Sequence, residues 1–369
     1  MLRRILASAK WTAVNLVLLW RHRKEPRKSP GGGPIVFVDL QANPFERYLL
    51  LLLLLFRNAG HRIAFKPTTG MLGAWSTTLL QDRFPEAEWR SVPPPGTVLV
   101  LTDRPREAPD GAVVRLLDAD YFAPPQPGTW RVPMPMVDSV YVFHCEEPRQ
   151  PPPDDPLHAL GRIRIYFSGG FDPAHYSHPA VREVFHCLSR REMNQVLHMH
   201  FGTLIEHPKD KATLASSHKP IRLVDRHKDF YVDPIDLRWV LAHSDFLPAF
   251  PGVVMPWTHS VVEGMSVGAV PILQFPQLFD PPLQHGVDCL AFKDEDGLVH
   301  VVQQALDMDA TRIERMRAAA KSYYERHMAP DVVVRRILDP QSGDQRLRLM
   351  AEWHSVRLWQ RHHAGTRPH

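Results

Sequence analysis

Cysteine is scarce in this chain. Its 369 residues include three, Cys145, Cys187 and Cys289, an odd number at wide spacing. That pattern excludes a disulfide-framed secreted domain and a thiolate zinc site, and it favours a reducing, cytoplasmic setting. Long apolar runs are lacking too. The longest centres on seven consecutive leucines, 49–55, far short of the roughly 20 residues of a spanning helix. Twenty-one histidines are present, but no H-E-x-x-H and no Cys/His pairing at zinc spacing, so no metal site is expected. There is no G-x-x-x-x-G-K-[ST] loop and no G-x-G-x-x-G turn, which excludes a P-loop and makes a dinucleotide site untenable.

A strong overall charge is also missing. The net charge is +4, and its distribution matters more than its size. Residues 1–30 carry eight Lys/Arg and one acid, a net of +7, and residues 341–369 carry five Arg and two acids, a net of +3. The segment between, 31–340, is left with −6. A mildly acidic body is not a nucleic-acid-binding surface. Two basic ends suit an anionic surface better.

What is present is a soluble, two-domain composition: 44% hydrophobic, 23% charged, with 36 prolines that imply many rigid loops. Residues 1–33 form a basic N-terminal segment ending in a glycine linker. Leu2, Ile5, Leu6, Ala9, Ala13, Leu16 and Trp20 fall near one side at helical spacing. An amphipathic helix on an anionic membrane, giving a cytoplasmic, membrane-peripheral protein, is one reading. A helix packed on the body, or a disordered tail, is the other.

Residues 34–146 read as an α/β domain. Strands are expected over 34–40, 61–66, 96–102, 111–117 and 139–144, with the leucine helix buried between the first two. The proline-rich stretch 147–160 is the expected linker. A second α/β domain, 161–330, holds expected strands over 162–167, 221–224, 245–247, 269–274 and 289–292. Helices are expected over 179–196 and 311–328, and 331–369 reads as a helical, basic tail.

The most informative stretch is 244–273, SDFLPAFPGVVMPWTHSVVEGMSVGAVPIL. It reads as a buried strand, a Pro-Gly turn, a loop with Thr258 and Ser260 placed to cap a helix, a Gly268 helix end and a second buried strand. Backbone amides at a helix start beyond the carboxyl end of a parallel sheet bind anions, phosphate above all. Ser168-Gly169-Gly170, after the first strand of the second half, lets backbone approach the same ligand. The plain alternative is a surface helix with an exposed Glu263 and a simple tight turn at Gly169.

The run His259-Ser-Val-Val-Glu-Gly-Met-Ser-Val-Gly-Ala-Val-Pro-Ile272 resembles the donor-site helix of GT-B glycosyltransferases, which carry a P-x-S-x-x-E-x-x-x-x-G-x-P-like pattern, and the spacing around Pro256 is most similar to the exostosin-like branch. The resemblance covers roughly residues 235–330. It implies two Rossmann-like α/β domains facing a cleft, and a nucleotide-sugar donor as co-substrate, with no other cofactor. Ser260, with Thr258 and His259, would meet the diphosphate, Glu263 the ribose hydroxyls, Ser168, Gly169 and Gly170 a facing phosphate loop, and Asp280 the edge of the sugar pocket. Retaining members carry E-x7-E, whose first position is Met255 here, so the stereochemistry stays open. An inverting reaction needs a general base, and Asp39 and Asp103, at strand ends of the first domain, are the candidates. Asp118-Ala119-Asp120 reads as a strand end rather than a metal-binding D-x-D. The expected function is metal-independent transfer of a sugar from a nucleotide sugar to a glycan or lipid-linked acceptor. The alternative is a nucleotide- or glycan-binding protein without turnover.

Overall fold

The computed structural model describes residues 32–45, 47–72, 80–136 and 148–363. The expected amphipathic helix of 1–30, the expected strand over 139–144 and Cys145 lie outside the described residues.

The chain first lays down β1 (Ile35–Asp39), the helix α1 (Arg47–Asn58), β2 (Arg62–Phe65), β3 (Glu88–Trp89), β4 (Thr97–Thr102), β5 (Val113–Asp118) and β6 (Thr129–Arg131). β1 is buried throughout, as its uninterrupted apolar run requires of a central parallel strand. In α1 every residue from Tyr48 to Phe56 is buried. The seven leucines therefore belong to a core helix, which ends at Gly60 with a left-handed φ of 83°.

A second unit follows. It holds β7 (Ile163–Gly169), α2 (Arg190–Phe201), β8 (Ile205–Glu206), β9 (Ile221–Asp225), α3 (Pro234–Ala242), β10 (Ser244–Pro248), α4 (His259–Ser266), β11 (Val270–Leu273), β12 (Leu290–Ala291), α5 (Glu295–Asp307) and α6 (Ala310–His327). The chain closes with α7 (Pro330–Leu338), β13 (Arg346–Arg348) and α8 (Trp353–His363).

The strands form two Rossmann-like sheets, every described pairing parallel. One has seven strands in the order β3-β2-β1-β4-β5-β13-β6, the other six in the order β12-β11-β10-β7-β9-β8. The two compact units part after Val132, and the chain returns to the first unit at Pro330. From sequence the join is expected at 147–160 and 331–369 as a tail. In the fold, α7 packs against α1, and β13 sits between β5 and β6.

The helix expected over 179–196 is two helices. A single turn, Ala180–Glu183, is followed by a break in which His186 takes φ 53°, and α2 starts afresh at Arg190. Ser189 and Glu192 form a complete capping box there, Ser189 N donating to Glu192 Oε2 at 2.7 Å and Glu192 N to Ser189 Oγ at 3.2 Å. That reciprocal pair fixes a helix start where apolar spacing alone continues through.

Among the described residues no helix is long and apolar enough to cross a membrane.

Candidate functional site

In the second sheet β7 lies between β9 and β10, so the connections leaving β7 and β10 diverge to opposite sides. Such a switch point leaves a crevice at the strands' carboxyl ends. Ser168 and Gly169 are the last residues of β7 there, and Gly170 follows. A Cβ on Gly169 would stand 2.7 Å from the Phe167 ring, and one on Gly170 would stand 3.2 Å from the Tyr176 ring. Phe167 cannot yield, because it packs edge-on against Phe171 and Phe250 at centroid distances of 5.4 and 4.6 Å. Glycine is thus demanded at the loop where the backbone was expected to approach a ligand.

Arg190 binds the two diverging connections together. It is buried at the first turn of α2, donating from NH1 to Gly170 O at 2.6 Å and from Nε to Pro251 O at 2.9 Å. Its guanidinium lies 3.7 Å from the Tyr176 ring centroid. Burial lowers its pKa to about 10; the charge of Arg226 pushes the same way and Tyr176 opposes. Arg226 is exposed, and its Nε comes 3.5 Å from a Cβ placed on Gly170. Two cations therefore flank the Gly169–Gly170 corner. Neither was legible as a site residue. The one signal was the Ser189–Glu192 capping box, which puts Arg190 at a helix start.

Thr258 is the N-cap of α4, with extended backbone at φ −136°, ψ 153°, yet its side chain makes no capping bond. Its Oγ1 instead lies 2.7 Å from Ser260 Oγ. Asp233 and Asp294 show the contrast, accepting at 2.9 Å from Ile235 N and at 2.8 Å from Gly297 N at the starts of α3 and α5. The α4 start thus pairs two hydroxyls with amides that the Thr258 side chain does not cap, the arrangement of an anion site. It connects back to Arg190: Gly252, next to Pro251, would bring a Cβ 3.5 Å from Thr258 Cγ2. His259 follows Thr258, half-buried.

Glu263 is 2% exposed, which removes the surface-helix alternative, and it is engaged within the fold. Gly264, whose Cβ would stand 2.7 Å from Leu247 Cδ2, lets α4 lie directly on β10. Gly268 ends the segment at φ 85°.

No nucleophile elbow is expected from the sequence, yet Gly264-Met265-Ser266-Val267-Gly268 spells its G-x-S-x-G pattern. The fold gives it a different meaning. Ser266 closes α4 rather than turning from a strand into a helix. It is buried, its Oγ donates to Glu263 O at 2.7 Å, and Arg238 NH1 donates to it at 3.3 Å. Asp280 is exposed on its turn. Next to it, Pro281 O accepts from Tyr323 OH at 2.5 Å, and Phe279 stacks on Trp257 at 4.3 Å. That stack links the turn to the residue preceding Thr258.

The first sheet has its own switch point, with β1 between β2 and β4. Asp39 ends β1 there, 1% exposed. Its Oδ1 accepts from Arg104 at 3.0 Å, and its Oδ2 accepts from Lys66 at 2.9 Å and Arg106 at 2.5 Å. Asp103, just past β4, is arranged differently. Its Oδ2 accepts from Gln41 N at 2.8 Å and Ala42 N at 3.0 Å, while its Oδ1 is buried and unbonded. Asp118 does end β5, paired with Arg346 at 2.9 Å, and Asp120 meets His362 at 2.8 Å.

The sequence matches no protein-family model and no curated protein. Solved structures with a related chain path include Anabaena Alr3699/HepE in complex with UDP (10% identity, TM-score 0.41, covering 83% of this chain and 98% of that one). A glycosyltransferase from Rickettsia africae has 12% identity and a TM-score of 0.42 over 84% of this chain and 99% of that one. A UDP-N-acetylglucosamine 2-epimerase has 10% identity and a TM-score of 0.37 over 84% and 96%.

Proposed function

We propose that the second unit binds the diphosphate of a nucleotide sugar, and that the protein transfers the sugar to a glycan or lipid-linked acceptor without a metal. The carrying observation is the junction at the β7/β10 switch point, where one buried arginine joins the Gly170 and Pro251 connections. Beside it the α4 start presents the Thr258 and Ser260 hydroxyls instead of a capping oxygen. Cations and amides held in place before the reaction stabilise charge as it builds on a departing diphosphate. That is the service a metal otherwise gives.

In this reading Ser260, Thr258, His259 and the Ser168–Gly170 loop surround the phosphates, Glu263 takes the ribose hydroxyls, and Asp280 borders the sugar. Of the two first-unit carboxylates, Asp103 is assigned as proton acceptor, because Asp39 already spends both oxygens on three cations. The exostosin-like comparison applies to the α4 pattern alone. The basic segment 1–30 is assigned to an anionic membrane surface, each basic residue adding about 1 kcal/mol near the lipid.

The test is binding and turnover across a panel of nucleotide sugars. Glu263→Gln should weaken nucleotide affinity by about 1–3 kcal/mol, the range of a lost charged hydrogen bond, with folding checked by circular dichroism. Equal affinity in the folded variant refutes the ribose assignment. A second reading, nucleotide binding without turnover, is favoured by the occupied state of Asp39. Nucleotide binding with no product from any donor in the panel would select it.

A further inference from the structure

Val114, Leu116 and Asp118 recur at every second position of β5, so they share one face of the first sheet. In register beside them on β13 stand Arg346, opposite Leu116, and Arg348, opposite Asp118. A cavity of about 870 Å³ opens over this face. Val114 and Leu116 give it an apolar floor. Arg104, Arg106, Arg346 and Arg348 line it, against Asp118 and Asp120, and Gln126, Thr129 and Gln345 stand at its margin.

The four arginines are unevenly satisfied. Arg348, 4% exposed, is pinned through NH1 to Ala123 O at 2.7 Å and Pro124 O at 2.6 Å, and its Nε has no hydrogen-bond partner. Arg346 uses NH1 on Asp118 but leaves 46% of its side chain exposed, and Arg104 leaves 43%. A buried guanidinium held by carbonyls carries a charge that those carbonyls do not neutralise. Arg346, engaged through NH1 alone, presents an exposed guanidinium edge of the kind that carboxylate and phosphate accept bidentately. The carboxylates and amides at the wall match hydroxyl groups, and the apolar floor matches the C–H face of a sugar ring. The volume lies within the range of small-molecule sites.

We propose that this groove of the first unit binds an anionic saccharide, a sugar or short glycan bearing a carboxylate or phosphate. The site is completed by the C-terminal return of the chain, which supplies Gln345, Arg346 and Arg348. It lies on a different unit from the nucleotide site and is tested without nucleotide.

The experiment is isothermal titration of the full chain with four probes: a uronate-containing tetrasaccharide, a hexose phosphate, inorganic phosphate, and a neutral glucose tetrasaccharide. Saturable binding of the uronate glycan or the hexose phosphate is expected, weaker binding of inorganic phosphate, and none of the neutral glycan. The preferred probe distinguishes carboxylate from phosphate. Arg346→Gln should cost about tenfold in affinity, and added salt should weaken the wild type. Gln126→Ala, in an exposed loop, should cost a few-fold and serves if Arg346→Gln fails to fold. Unchanged nucleotide affinity in each variant reports an intact second unit, so failure here is separable from failure of the nucleotide reading. The proposal is overturned if the neutral glycan binds equally well, if inorganic phosphate alone binds, if nothing saturates, or if the folded variants bind like wild type.

Discussion

Arg190 Nε donates to the Pro251 carbonyl at 2.9 Å, across 61 residues of chain. The same guanidinium holds Gly170 O, so one side chain sets the spacing between the connections that leave β7 and β10. Arg190→Met should leave both carbonyls without this donor, at about 1–3 kcal/mol each, and lower nucleotide affinity with it. Arg190→Lys keeps the charge but not the fork, and should fall between. Denaturant unfolding and nucleotide titration of the two variants measure this. A methionine variant as stable as wild type would remove Arg190 from the account.

Gly169→Ala should be costly out of proportion to one methyl group. Its Cβ meets the Phe167 ring at 2.7 Å, inside a three-phenylalanine cluster that has little room to shift. Overpacking of this kind costs about 1–3 kcal/mol. Gly161, whose Cβ would meet nothing within 4 Å, is the control, and Gly161→Ala should melt like wild type.

Asp103 has two duties that two substitutions separate. Asp103→Asn keeps an oxygen for Gln41 N and Ala42 N, so the loop should hold while turnover falls by about 10²–10⁴, the usual weight of a general base. Asp103→Ala should lose turnover and also destabilise the unit. Full turnover in the asparagine variant would return the proton-acceptor role to another group.

The Asp155 carboxylate supplies a pH-dependent contribution. Burial pushes its pKa up, but the Lys211 ammonium at 2.7 Å and the Leu157 amide at 2.8 Å together hold it below its ordinary 3.8. A native value lower than the unfolded one stabilises above the ordinary carboxyl pKa, and that stabilisation is lost as pH falls through the native value. Lys211 also reaches Asp236 at 2.8 Å, tying the short 3-10 turn Pro156–Ala159, which Asp155 caps, to α3. Asp155→Asn should therefore melt lower than wild type at pH 7, with the gap closing below about pH 3.8. A gap of constant size from pH 7 to pH 3 would show that the charge is not the cause.

The strands that announced themselves were apolar runs bounded by proline or glycine. β1, β4, β7, β9, β10 and β11 all lie where such runs are written. β3, β6 and β8 have two or three residues each, too short to show a period. β13 was hidden for another reason. Its sequence, Arg-Leu-Arg, looks like surface, and yet Arg348 is buried by bonding backbone carbonyls, a use of arginine that leaves no pattern in sequence. The site divides the same way. Glycine corners and a hydroxyl-bearing helix start are local and were visible at Gly169, Thr258 and Ser260. Arg190 was not, because its partners are brought to it by the fold alone.

The placement of β13 has a bearing on synthesis. β6 pairs with β13 and with no other described strand, and β13 is also the link from β6 to β5. The second unit is continuous in sequence from Pro133 to Ala329, so everything it needs has been made before the last strand of the first sheet exists. A vectorially synthesised chain completes its units in the order its segments allow. Here the unit begun first is finished last: β6 must wait, its edge unpaired, for more than 200 further residues before Arg346–Arg348 can slot in beside it.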